Sequence, residues 1–184
     1  VNIFSSKGIR YSNRIFLFLL TGIILLPQSA VKSDSLKVTW ERTLSTGYDS
    51  RFWGVDCTDD GGAVCVGESA TEDEEITLLL LAKYSNQGLV QWKILTGWSL
   101  ATTGQDVLQI PGGYVVCGSI SSGIDADGFL AKFDYFGNVV WCTHIENPGN
   151  DILYDVAQAA DGCFVAAGYT ESIGAGRKDA LIVL

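Results

Sequence analysis

Only one histidine, His144, occurs in 184 residues, and no two of the five cysteines stand side by side or in CxxC spacing. That scarcity argues against a zinc site built from Cys and His ligands. The glycines of GAGRK (174–178) lack the Gly-Lys-Ser/Thr ending of a phosphate-binding loop. Basic residues are also few, 12 against 21 acidic ones, for a formal charge of −9. Phosphate backbones require a positive field, so nucleic acid is excluded as a partner. The apolar run IFLFLLTGIILL (15–26) has 12 residues, whereas a spanning helix needs about 20. No permanent membrane span is expected.

What is present at the start has the layout of a secretory signal. Lys7, Arg10 and Arg14 precede the apolar run, and Pro27, Ser29 and Ala30 follow it. Residues 1–30 are therefore read as a signal peptide and 31–184 as the mature region, with a secreted, periplasmic or cell-surface location. The signal holds three basic and no acidic residues, so its removal takes the formal charge from −9 to −12. Val1 in place of Met points to a non-standard start or a fragment. Apolar residues at 47% and aromatics at 11% place the remainder among folded chains.

The mature region repeats itself at about fifty residues, the scale of propellers and related arrays. KYSNQGLVQW (83–92) returns as KFDYFGNVVW (132–141). Trp40, Trp92 and Trp141 lie 52 and 49 residues apart, each two positions after a valine. Gly61, Gly112 and Gly162 follow them at 21, 20 and 21 residues, inside DDGGAVCVG, IPGGYVVCG and AADGCFVAAG. Each unit divides into four strand-like segments bounded by turn residues. In the middle unit these cover 105–110, 113–120, 128–135 and 138–145; in the first, 53–58, 63–69, 77–84 and 89–95. Gly88 and Gly137 mark the second hairpin of their units, where a residue tolerant of positive φ is needed.

The expected fold class is all-β: propeller-like repeats of about fifty residues with four antiparallel strands per blade. A Trp strand over 36–44 is followed by blade 1 at about 53–95, blade 2 at about 104–145 and a partial blade 3 at about 152–184. That amounts to roughly three blades, an incomplete propeller, since closed rings use about 4 to 8. Further blades of a longer protein, or another copy of the chain, are expected to complete it.

The run Phe133-Asp134-x-x-Gly137-x-x-x-Trp141 is similar to the tryptophan-docking motif of quinoprotein-type propellers. The whole unit resembles a tandem repeat of secreted bacterial and archaeal β-propeller proteins, over residues 36–184. The first unit departs from the pattern: Leu78 stands where Asp127 and Asp179 occur, and Ser85 where Asp134 occurs. The resemblance implies a fold and packing residues, and no activity, because propellers host many functions.

No catalytic residue and no cofactor are assigned. His144 has no nucleophile marked by motif beside it. Asp125 and Asp127 are weak metal candidates; Asp127 shares its position with Asp179, which suits a turn-capping carboxylate. The acidic run Glu72, Asp73, Glu74 and Glu75 reads as solvated loop charge. The five cysteines read as buried small hydrophobes, although Cys57 and Cys65 flank one hairpin. The expected function is a non-catalytic binding scaffold whose partner is a protein or a glycan. The alternative is part of a propeller enzyme such as a quinone-dependent dehydrogenase. Such enzymes carry a vicinal Cys pair and a metal site, and no adjacent cysteines occur here.

Overall fold

Short alternating or continuous apolar runs, most of them separated by glycine-bearing turns, form eleven strands and no helix among the described residues. The computed structural model describes residues 38–72 and 75–184. The expected signal region, and Asp73 and Glu74 of the acidic run, lie outside them. Residues 40–184 form one compact unit.

The strands are β1 (Ser50–Cys57), β2 (Ala63–Ala70), β3 (Thr77–Tyr84), β4 (Val90–Thr96), β5 (Ala101–Ile110), β6 (Gly113–Ser121), β7 (Ala126–Phe133), β8 (Val139–His144), β9 (Asp151–Gln158), β10 (Phe164–Thr170) and β11 (Asp179–Val183). Neighbours in sequence pair antiparallel within β1–β4, within β5–β8 and within β9–β11. The first two meanders touch at one parallel pair, Thr77 with Ala101, which makes a sheet of eight strands; β9–β11 form a second sheet. No closed ring of strands is present among the described residues.

Each meander carries a register shift in its first ladder. An extra residue interrupts the first ladder of each meander at Trp53, Gln105 and Tyr154. Opposite each lies a glycine, Gly67, Gly118 or Gly168, at which a Cβ would run into the carbonyl of Arg51, Thr103 or Ile152. A second bulge precedes the tryptophans of β4 and β8, where Gln91 and Val140 are skipped and Lys83 and Lys132 face Trp92 and Trp141. Bulges bend a strand and increase its twist.

The core follows from strand period two. In the middle meander, Tyr114, Val116, Phe129, Ala131 and Phe133 point one way and pack with Val64, Val66, Leu79 and Leu81 of the first. Val115, Cys117 and Leu130 point the other way, onto Leu153, Val156 and Ala166 of the third. The middle strands are thus buried on both faces, and each fully buried side chain of this size contributes about 1.5–3 kcal/mol. At Gly54 a Cβ would lie 2.7 Å from the Asp106 Cα. Its absence lets β5 approach β1.

Two expectations need correction. Residues 38–44 form no strand, because none of the described strands forms a ladder with them; Trp40 instead stacks on Tyr84 at 6.0 Å. The cysteines are not uniformly buried. All are free; Cys117 is buried, Cys65 half-buried, and Cys57, Cys142 and Cys163 exposed. The outer strand β8 and the turn before β10 leave Cys142 and Cys163 outside the two-sided core. Cys57 pairs with Ala63 and Cys65 with Val55, so the two cysteines are offset along their ladder.

Candidate functional site

The turn after β1 closes with Gly61 N–H donating to Thr58 O at 2.8 Å and Thr58 N–H to Gly62 O at 3.0 Å. Gly61 takes a φ of +76° to make this turn. Asp60 accepts from the Thr58 hydroxyl at 2.6 Å and from Gly62 N–H at 3.0 Å. Lys83, on β3, donates to both Asp60 oxygens at 3.0 and 2.9 Å and to Tyr84 O at 2.8 Å. A Cβ on Gly62 would come within 2.7 Å of the ammonium, so glycine there admits the pair. The Thr58 hydroxyl, with Lys83 and Gly62 N–H, holds the Asp60 carboxyl well below its usual range.

This turn borders a cavity of about 290 Å³ at the seam between the first two meanders. Trp92 forms one wall, with its indole N–H donating to Tyr135 O at 3.1 Å. Tyr135 belongs to the β7–β8 turn, and its hydroxyl accepts from Gly112 N–H at 3.0 Å. Gln109 reaches from β5 to Asp59, giving its amide N–H to the carboxylate at 2.6 Å and accepting Asp59 N–H at 3.0 Å. Tyr114 is wedged between Trp92 and Tyr135, both at 5.9 Å, and is only 2% exposed. Its hydroxyl makes no hydrogen bond among the described residues, yet Tyr114 lines the cavity. Burial, then the charge of Asp60, pushes this phenol up to about 12. It therefore stays protonated at neutral pH.

Of the residues named from sequence, the tryptophans each pack on a segment that follows their own hairpin or strand. A Cβ on Gly88 would meet the Trp40 indole at 2.7 Å, and one on Gly137 would meet Trp92 at 3.4 Å. Trp141 rests against Phe164 at 6.3 Å, as Trp92 does against Tyr114. Gly112 and Gly162 have φ of +89° and +91° in the first turns of their units. Gly112 is the second residue of a two-residue turn, where Gly61 and Gly162 are the fourth of five, and β5 ends one residue farther from its tryptophan; the net is a glycine one residue nearer.

Asp179 accepts Ala175 N–H at 2.8 Å and so ties down its preceding loop. Asp127 has no such bond; Ala126 N–H donates to Asn150 instead. Burial, then Asp125, raises the Asp127 carboxyl. His144 pairs with Glu146 at 2.8 Å on the surface. Among the described residues, no three His, Cys, Asp or Glu side chains are placed to hold a metal.

Sequence reasoning missed three polar features. Asp56 accepts Gln109 N–H at 2.8 Å and Asp106 accepts Val156 N–H at 3.1 Å, each crossing to the next meander. Burial, with Asp155 close by, raises the Asp106 carboxyl. Asp151 is fully buried, with Oδ2 accepting from Ser172 at 2.8 Å and Oδ1 unpaired. It occupies the ladder position of Thr102, which accepts Trp98 N–H and anchors the loop before β5. The only signal for any of these was an aspartate interrupting an apolar strand. No helix among the described residues is long and apolar enough to cross a membrane. No known family model matches the chain, and no curated protein matches it.

Proposed function

We propose that the chain is an exported binding protein built from propeller-type units of the tryptophan-docking kind, and that it takes its ligand in the cavity between the first two units. The unit reading is supported by fittings that recur at the repeat spacing: Trp40 against Gly88, Trp92 against Gly137, and first-ladder bulges opposite Gly67, Gly118 and Gly168. Stacked repeats need the same contacts at every interface. Export rests on the charged start, the short apolar run and the small residues at 29–30.

The observation that carries binding is the division of labour among the cavity's polar groups. Asp60, Lys83 and Gln109 are engaged by other protein groups, whereas Tyr114 offers a free hydroxyl from a rigid, nearly sealed ring. A carboxyl held as low as that of Asp60 is a weak proton acceptor at neutral pH, which suits recognition better than general-base chemistry. Pre-organised polar groups beside aromatic walls are the usual make-up of a small-molecule site.

Amide-resolved NMR of the whole chain tests the binding reading against a panel of neutral sugars, short peptides and amines. Saturable shifts should cluster at residues 58–60, 91–92, 109–114 and 135. A panel that moves nothing, or moves only residues elsewhere, refutes it. Export is tested separately by N-terminal sequencing of protein recovered outside the cytoplasm, where a start near residue 31 is expected and a start at Val1 contradicts it.

A further inference from the structure

We infer that the cavity ligand is a neutral polyhydroxyl ring, one sugar residue of a glycan; this rests on the binding reading above and specifies its chemistry. The groups left open at the seam are the Tyr114 hydroxyl, the exposed Gln91 amide and the outer oxygens of Asp59 and Asp60. A phenol both donates and accepts, an amide does the same, and carboxylates only accept. A partner satisfying all of them must bring several donors and at least one acceptor within a small span. Vicinal hydroxyls do so.

Charge narrows the class. Two carboxylates face one ammonium, and Lys83 has all three of its N–H bonds committed to Asp60 and Tyr84 O. Phosphate or carboxylate ligands would meet the uncompensated Asp59 without a free cation in return. Amines are disfavoured more gently: Asp59 is exposed and already accepts from Gln109, so its charge is screened by water. The wall beside these groups is the half-buried Trp92 indole, whose ring suits the C–H face of a sugar. The 290 Å³ available lies at the small end of ligand pockets, enough for one ring and too little for a folded peptide segment.

The test is a titration of the whole chain, followed by amide NMR, with methyl glycosides of glucose, galactose and mannose. Acetate, inorganic phosphate and ethylamine serve as charged probes, and triglycine serves as a short peptide. At least one glycoside should give saturable shifts at Asp59, Gln91, Trp92 and Tyr114. Tyr114→Phe retains the ring and its packing, and should weaken that glycoside by roughly 5- to 10-fold, the worth of one hydrogen bond. Gln91→Ala, at an exposed position, should weaken it while leaving the fold untouched. Affinity unchanged from the unmutated protein in both variants overturns the inference. Shifts at the cavity from ethylamine, phosphate or a peptide, with none from any glycoside, also overturn it while leaving the binding reading intact. Silence from every probe removes both.

Discussion

Replacing Asp60 by alanine should destabilise the protein far more than replacing Lys83 by methionine, although both changes break the same ion pair. The Lys83 side chain is 6% exposed and directs two of its three N–H groups at Asp60, whose own side chain is 50% exposed. Removing one partner of a buried pair costs about 3–5 kcal/mol because the other charge is left unpaired. Water entering from the open Asp60 side recovers part of that, leaving about 2–3 kcal/mol for Asp60→Ala. In Lys83→Met the stem still packs, and Asp60 keeps water, the Thr58 hydroxyl and Gly62 N–H, so the cost is about 1 kcal/mol or less. Urea unfolding at pH 7 reads both as shifts in midpoint at constant slope. The sign with pH is also fixed. The Asp60 carboxyl is lowered from 3.8, so its contribution is present above that value and lost as pH falls below it. The gap between wild type and Asp60→Ala should shrink in acid. Equal losses in the two variants, or a gap that does not change with pH, would refute the argument.

Gly88→Ala combines a φ of +72° with a Cβ 2.7 Å from the Trp40 ring, and should lower stability by about 1–3 kcal/mol in the same assay. Trp92→Phe deletes the N–H bond to Tyr135 O while retaining an aromatic wall, at about 1–2 kcal/mol. Asp106 has a raised carboxyl, so its contribution is full below the ordinary value of 3.8 and lost as pH rises through the folded value. Asp106→Asn should flatten that decline, measured by thermal melts from pH 3 to 7. Burial pushes the Cys117 thiol up to about 12 and seals it. A thiol reagent should label exposed Cys57 and Cys163 in the folded protein, and Cys117 only after unfolding.

The strands most legible from sequence are short apolar runs closed off by turn residues, buried on both faces. β3 and β6 match their expected spans of 77–84 and 113–120 to within a residue. β1 and β5 begin three and four residues before their expected starts at 53 and 105. The reason is local: the extra residues at Trp53 and Gln105 switch the face on which side chains point, so the pattern of period two stops at the bulge while the ladder continues. The pattern places Tyr135 at the end of the third strand, 128–135, but it lies in the turn after β7, where its carbonyl meets Trp92. The cavity was invisible for the same reason. Its walls come from turns and strands up to 77 residues apart, Thr58 to Tyr135, and no short stretch announces their meeting. The tryptophans were readable as packing residues because they recur. Tyr114, which does not recur as tyrosine, reads as one more strand aromatic.

Trp92 of the first meander docks on the β7–β8 turn of the second, where its N–H reaches Tyr135 O, and forms a wall of the cavity. Proton NMR of the Trp92 indole measures this directly, with Trp92→Phe used to assign its N–H resonance. Cross-peaks are expected from the indole ring to Tyr114 and Gly137, and from its N–H to Tyr135, with slow exchange of that proton. An indole N–H that exchanges as fast as free tryptophan and shows contacts only within β3 and β4 would contradict it.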